Sequence, residues 1–252
     1  MVETVTSADG STIAYEVQGD GPALLIIGGA FSTRQAPASL LPYLTPRFRV
    51  VCYDRRGRGD STDAGNPPPY EREREIEDVR VLLDAVGGDA FVFGHSSGAA
   101  LAFEAAAAGA SITRVAGYEA PYIVQSEPTE QVAAALAAGE PERAAEIFLA
   151  TTGTDPATMK DTPWWPGLVS LAHTLPYDFA LVDAGVPVER LATIRVPALV
   201  IDGGASPAWA ADAASALVAT IPNATRRTLP GETHGVSNEV ITPILEEFFL
   251  GG

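Results

Sequence analysis

The sequence is poor in the residues that build crosslinks, metal clusters and basic surfaces. Cys52 is the single cysteine among 252 residues, which excludes an intrachain disulfide and a cysteine-based metal cluster. It follows Val50 and Val51 in a strand-like run and reads as a buried, inert thiol, because buried thiols behave as small hydrophobes. Basic residues are scarce: 16 face 32 acidic ones, for a formal net charge of −16. A surface of that sign repels phosphate backbones, so nucleic acid is not an expected partner. No apolar run approaches the roughly 18 residues needed to span a bilayer. The opening Met1-Val2-Glu3-Thr4 lacks the basic n-region of a secretory signal. The expectation is a cytoplasmic protein with no membrane partner.

What is present is a chain 46% hydrophobic and 19% charged, a balance that suits a globular fold with a sizeable core. Strand and helix patterns alternate. Residues 12–17 read as an early strand with a partner at 2–6. Ala23–Ile27, Arg49–Tyr53, Ala90–Phe93 and Ile112–Tyr118 are short apolar or β-branched runs of the kind that form buried parallel strands. Residues 71–86 place Ile76, Val79, Leu82, Leu83 and Val86 on one helical face, and the charged run Glu71–Asp78 reads as its solvated side. Between about 122 and 190 the rhythm changes to helical pieces (131–138, 141–150, 167–174) broken by prolines, with no clear strand. Strands return at 196–201 and 224–229, with helices at 207–220 and 238–250. The pattern predicts a mostly parallel sheet of about eight strands with helices on both faces. Residues 1–121 and 191–252 form the core, and 122–190 a helical cap inserted in a single domain.

The chemistry-bearing motif is Gly94-His95-Ser96-Ser97-Gly98. A serine between two glycines, directly after the strand Phe91-Val92-Phe93 and before the alanine-rich helix 99–108, fits a strained strand-to-helix turn. That turn exposes the serine Oγ above the sheet, and small neighbours let strand and helix backbones approach. Ser96 is the candidate nucleophile, and the Ser97 backbone N–H a candidate oxyanion donor.

Four segments in order carry a resemblance to the α/β-hydrolase family over essentially the whole chain: Ile26-Ile27-Gly28-Gly29-Ala30, Tyr53-Asp54-Arg55-Arg56-Gly57-Arg58-Gly59-Asp60-Ser61, the Gly94–Gly98 elbow, and Thr233-His234-Gly235. The sequence resembles especially the capped esterase, lactonase and haloperoxidase-like branch. The resemblance implies that the loop after the third strand supplies the second oxyanion donor, the N–H of Ala30, with Phe31 lining the acyl pocket. Gly28 departs from the family's usual histidine, which should loosen that loop without removing a backbone donor. Of the three histidines, His95 lies inside the elbow and reads as structural. His173 falls in the cap, where it reads as a surface residue or a substrate contact. His234, on the loop after the last strand, fits the general base.

The acid departs from the common pattern. The turn Gly203-Gly204-Ala205-Ser206-Pro207 has Ser206 where most relatives carry an aspartate, and a serine cannot supply the charge that stabilises an imidazolium. Glu119, in Gly117-Tyr118-Glu119-Ala120-Pro121, resembles family members whose acid ends the strand before the cap, and it is the favoured candidate. Asp202 and a weak or absent acid stay open beside it, as does the reading of Glu119 as a solvated loop residue. The three arginines of the Asp54–Ser61 segment read as structural pins through bidentate bonds.

The expected reaction is hydrolysis of a small-molecule carboxylic ester or lactone, largely apolar, through an acyl-enzyme and without metal or organic cofactor. Trp164, Trp165, Tyr177 and Trp209 join Phe31 as candidate substrate contacts. A C–C bond hydrolase or acyltransferase would use the same triad. A non-catalytic small-molecule binder on a decayed hydrolase fold is the contrasting reading, and it predicts a missing triad member. The oligomeric state stays open, a homodimer being one option.

Overall fold

A computed structural model of the chain describes residues 1–65, 67–123 and 126–251. Asn66, Val124, Gln125 and Gly252, which fall in the expected core and cap ranges, lie outside the described residues. The chain opens on β1 (Glu3–Thr6) and β2 (Thr12–Gln18). It continues through β3 (Ala23–Ile27), α1 (Leu41–Leu44), β4 (Arg49–Tyr53), α2 (Arg72–Ala85), β5 (Ala90–His95), α3 (Ser97–Ala107) and β6 (Ile112–Tyr118). Helices then run without an intervening strand among the described residues: α4 (Ser126–Ala137), α5 (Pro141–Thr151), α6 (Ala157–Lys160), α7 (Trp165–Leu171), α8 (Leu175–Val182) and α9 (Val188–Leu191). The sheet resumes with β7 (Ala198–Gly203), α10 (Ala208–Thr220), β8 (Ala224–Leu229) and α11 (Asn238–Leu250).

The described strands form one eight-stranded sheet in the order β1-β2-β4-β3-β5-β6-β7-β8. β2 pairs antiparallel with β1 and β4, and the remaining pairings are parallel. Successive strand side chains point to opposite faces, and in β3 both faces are apolar for that reason. Ala23, Leu25 and Ile27 enter a core shared with α2, α3 and α10, whereas Leu24 and Ile26 enter a second core shared with α1 and α11. α3 is buried from Ser97 to Ala105. A helix enclosed on all sides must be apolar all round, and its alanines keep it close to β5 and β6 while favouring the helix intrinsically.

Prolines mark helix beginnings in the insertion. Pro141, Pro166 and Pro176 each stand in the first turn of α5, α7 and α8, where a missing N–H leaves no bond unmade. The helix expected over 167–174 is therefore divided: α7 ends at Leu171, a single 3₁₀ turn spans Ala172–Thr174, and α8 begins at Leu175. The strand expected at 196–201 is shifted to Ala198–Gly203, because Pro197 cannot donate to the ladder, and Asp202 becomes a strand residue. The solvated reading of Glu71–Asp78 is corrected at two positions. Glu75 and Asp78 are buried and form paired hydrogen bonds with Arg55 and Arg56 respectively. Among the described residues no helix is long and apolar enough to cross a membrane.

Candidate active site

The ends of five neighbouring strands converge at one edge of the sheet: Gly28–Phe31 follow β3, Ser96 follows β5, Glu119 follows β6, Gly203 closes β7, and His234 lies beyond β8. Carboxyl ends of parallel strands are where open α/β sheets place their ligands. Among the described residues, three non-glycine residues, Phe31, Ser96 and Glu119, have positive φ of 57°, 58° and 49°. All three belong to this cluster. Such backbone costs on the order of 1–3 kcal/mol per residue and persists only where the surroundings enforce it.

The elbow is enforced by contact. A Cβ on Gly94 would stand 2.3 Å from the Gly98 carbonyl oxygen, and one on Gly98 would stand 2.2 Å from that of Ile27. Neither position accepts a side chain without moving backbone. The Ser96 N–H donates to Tyr118 O at 2.9 Å, tying the turn to β6.

His234 Nδ1 lies 2.7 Å from Glu119 Oε2, and Glu119 Oε1 accepts the Gly203 N–H at 2.8 Å. Glu119 is 3% exposed, which corrects its solvated reading. Burial works to raise its pKa, but the hydrogen bonds from His234 and the Gly203 N–H outweigh it and hold the carboxyl below its ordinary value. The Ser206 hydroxyl beside the carboxylate lowers it further. Asp202 points elsewhere: its two oxygens take Arg226 Nε and Nη2, each at 2.8 Å, and the Thr228 hydroxyl. The serine at position 206 therefore leaves no gap opposite His234.

His95 Nε2 lies 2.8 Å from the His234 carbonyl oxygen. An oxygen acceptor there requires the proton on Nε2. The His95 ring also stacks on Tyr118 at 5.7 Å, and burial, with His234 beside it, pulls its pKa down to about 4. The neutral ring thus fixes the backbone of the His234 loop. His173 lies at the surface, bridging Ser170 O and Gly57 O, each 2.9 Å away. Burial pushes the Cys52 thiol up to about 12, leaving it unreactive.

Ser96 and His234 border a cavity of about 70 Å³ whose wall also includes Ser97, Phe148, Phe179 and Trp209. Trp209 packs edge-on against His234, with ring centres 5.8 Å apart. Phe31 stands one ring further back, 5.3 Å from Phe148. Three expected contacts lie away from this cavity. Trp164 is 73% exposed, Trp165 is buried in the apolar cluster of the insertion, and Tyr177 donates to Asp63 and packs on Tyr70; none of them lines this cavity. Asp178, which does line it, is absent from the expectations above. An acid inside the apolar run Leu175–Val182 was its one signal, since a buried carboxylate demands partners. Among the described residues, no acceptor is found for the backbone N–H of Ala30 or Ser97, and no group of three or more His, Cys, Asp or Glu could hold a metal ion.

An eight-stranded, mostly parallel sheet with helices on both faces and a glycine-flanked serine after its fifth strand is the architecture of an α/β hydrolase. Residues 24–240 match the model of the alpha/beta hydrolase family, and the chain belongs to that family. It is similar to an alpha/beta hydrolase from Sphaerobacter thermophilus of known structure, with 48% identity and a TM-score of 0.89 over 98% of this chain and 100% of that one. It is 33% identical to the uncharacterized hydrolase YraK of Bacillus subtilis over 38% of this chain and 35% of that protein. It is 30% identical to the bifunctional esterase/perhydrolase of Acinetobacter calcoaceticus over 52% of this chain and 42% of that protein. The chain thus spans less than half the length of both of these curated relatives.

Proposed function

We propose that the protein is a serine hydrolase that cleaves a carboxylic ester or lactone with a short, uncharged acyl group through an acyl-enzyme intermediate. The observation that carries this reading is the Glu119–His234 hydrogen bond of 2.7 Å at the mouth of the cavity that Ser96 borders. In this reading His234 removes the Ser96 proton as Oγ attacks the carbonyl carbon, and Glu119 fixes the imidazole tautomer and stabilises its charged form. The N–H groups of Ala30 and Ser97 receive the oxyanion. His234 then gives its proton to the leaving alkoxide, and water repeats the sequence to release the acid and free Ser96. Residues 122–190 act as the cap that closes the acyl side.

Size and polarity support the substrate class. A dry apolar cavity of about 150 Å³ takes a benzene ring, so about 70 Å³ suits an acyl group of roughly three or four heavy atoms. Among the described residues no lysine or arginine lines the cavity, and the one acid on its wall, Asp178, is paired with Arg55 and Arg58, which disfavours an acidic acyl chain. The test is labelling by a fluorophosphonate probe together with turnover of p-nitrophenyl acetate. Labelling and turnover that both vanish in Ser96→Ala support the reading. An unlabelled, inactive wild-type protein would instead favour a non-catalytic binder.

A further inference from the structure

Beneath the elbow lies a buried ionic cluster that the proposed triad does not use. Arg55, Arg58, Glu75 and Asp178 are each at most 2% exposed. Asp178, contributed by α8 of the insertion, takes Arg58 Nη2 on both oxygens at 3.0 and 2.9 Å. Its Oδ1 also takes Arg55 Nη1 and the Ser97 hydroxyl, each at 2.7 Å. Burial opposes the Asp178 charge, but Arg58, Arg55 and the Ser97 hydroxyl outweigh it and hold the carboxyl below its ordinary value. Glu75 holds the other edge of Arg55 through two bonds of 2.6 Å.

The cluster ends on two particular atoms. Arg58 Nη1 donates to the Gly29 carbonyl oxygen at 2.6 Å. That carbonyl and the Ala30 N–H belong to one planar trans peptide and point in opposite directions. A guanidinium bonded to the oxygen therefore fixes where the N–H points, and it polarises the amide so that the N–H is a stronger donor. On the other side, Asp178 holds the Ser97 side chain and with it the residue whose N–H opens α3.

Resting on the reading of Ala30 and Ser97 as oxyanion donors, we propose that Asp178 is a positioning residue for both. It acts through Arg58 on the Gly29–Ala30 peptide and directly on Ser97, so that docking of α8 aligns the hole. The insertion then does more than bound the substrate: its buried acid Asp178 sets the electrostatic competence of the core.

The test uses Asp178→Asn and Ser97→Ala. The second introduces an alanine into an alanine-rich helix and leaves the buried charges balanced, so it keeps the experiment decisive where the first fails to fold. Each is measured for thermal stability, for kcat and KM on p-nitrophenyl acetate across pH, and for affinity toward an alkylboronic acid, which forms a tetrahedral adduct on a serine. Loss of one oxyanion donor lowers kcat on the order of 100-fold or more. Asp178→Asn is expected to approach that loss, and Ser97→Ala, which keeps the backbone donor, to lose less. KM and the acid limb of the pH profile stay near wild type, and boronate affinity falls in step with kcat. Folded variants with wild-type kcat overturn the proposal, as does a rise in KM alone or an activity loss that only tracks the unfolded fraction. A wild-type protein that neither takes the fluorophosphonate nor turns over ester defeats the serine-hydrolase reading itself. Labelled variants equal to wild type defeat only the role of Asp178.

Discussion

Glu119 reaches His234 from the end of β6, one strand away from the turn at Ser206, and glutamate's extra methylene supplies the reach. Both of its oxygens are occupied, by the histidine and by the Gly203 N–H, so the side chain has one orientation. Glu119→Gln keeps the shape and removes the charge. An amide also offers His234 a donor where it had an acceptor, which favours the wrong tautomer. The comparable change in a serine-protease triad lowers kcat about 10⁴-fold, and a loss of at least about 10³-fold is expected here. It is measured on p-nitrophenyl acetate with the melting temperature as control, and near-normal turnover would remove Glu119 from the proposed triad.

At the scale of elements, α8 walls the small cavity beside Ser96, and in the proposed reading it sets the space for the acyl group. Phe179 borders the small cavity next to Ser96 and also a broader apolar groove of about 780 Å³ on the far side of the helix, near Tyr70 and Leu136. Its ring is 2% exposed and meets Phe148 edge-on at 5.6 Å, so it stands as a partition between the two spaces. Wild-type protein is expected to favour acetate over octanoate esters. Phe179→Leu thins the partition, and each methylene accommodated in an apolar pocket is worth about 1–3 kcal/mol. The ratio of kcat/KM for octanoate over acetate should rise at least about tenfold. A p-nitrophenyl ester series reads it, and an unchanged profile would mean that the acyl group lies elsewhere.

For the whole molecule, titration of groups inside the fold links the site to stability. His95 has its folded pKa pulled down from 6.5 to about 4, so the unfolded chain binds the extra proton first as pH falls. The stability this ring contributes is therefore fully present above about 6.5 and is lost on acidification toward 4, up to about 3 kcal/mol. Asp78 works the opposite way: burial outweighs its bonds to Arg56 and raises it to about 6, so its ionisation weakens the fold as pH rises through that value. The difference between wild type and His95→Gln isolates the histidine, since both carry the Asp78 effect. Urea midpoints at pH 7.5 and 5 should fall more steeply in wild type than in the variant, and equal slopes would show that His95 is not held neutral by the fold.

Local chemistry made much of this protein readable from its chain. Short β-branched runs specify buried strands because both faces of a parallel sheet are covered, and the glycines of the elbow specify the turn because no Cβ fits there. Sequence alone thus determined the fold class, the serine's place on the elbow and the histidine's place on the last loop. What it could not determine depends on distances between segments far apart in the chain. Which of Glu119 and Asp202 meets His234 depended on which strand end faces it, and only the sheet order and the pairing of Asp202 with Arg226 showed that. The charges of Glu75, Asp78 and Asp178 look like solvent-facing or stray acids until the buried arginines of the Asp54–Ser61 loop appear beside them. The aromatic residues of the insertion divide between its own core, its surface and the cavity by packing alone. A carboxylate's partner is set by three-dimensional proximity rather than by sequence spacing, and tertiary structure alone decided it.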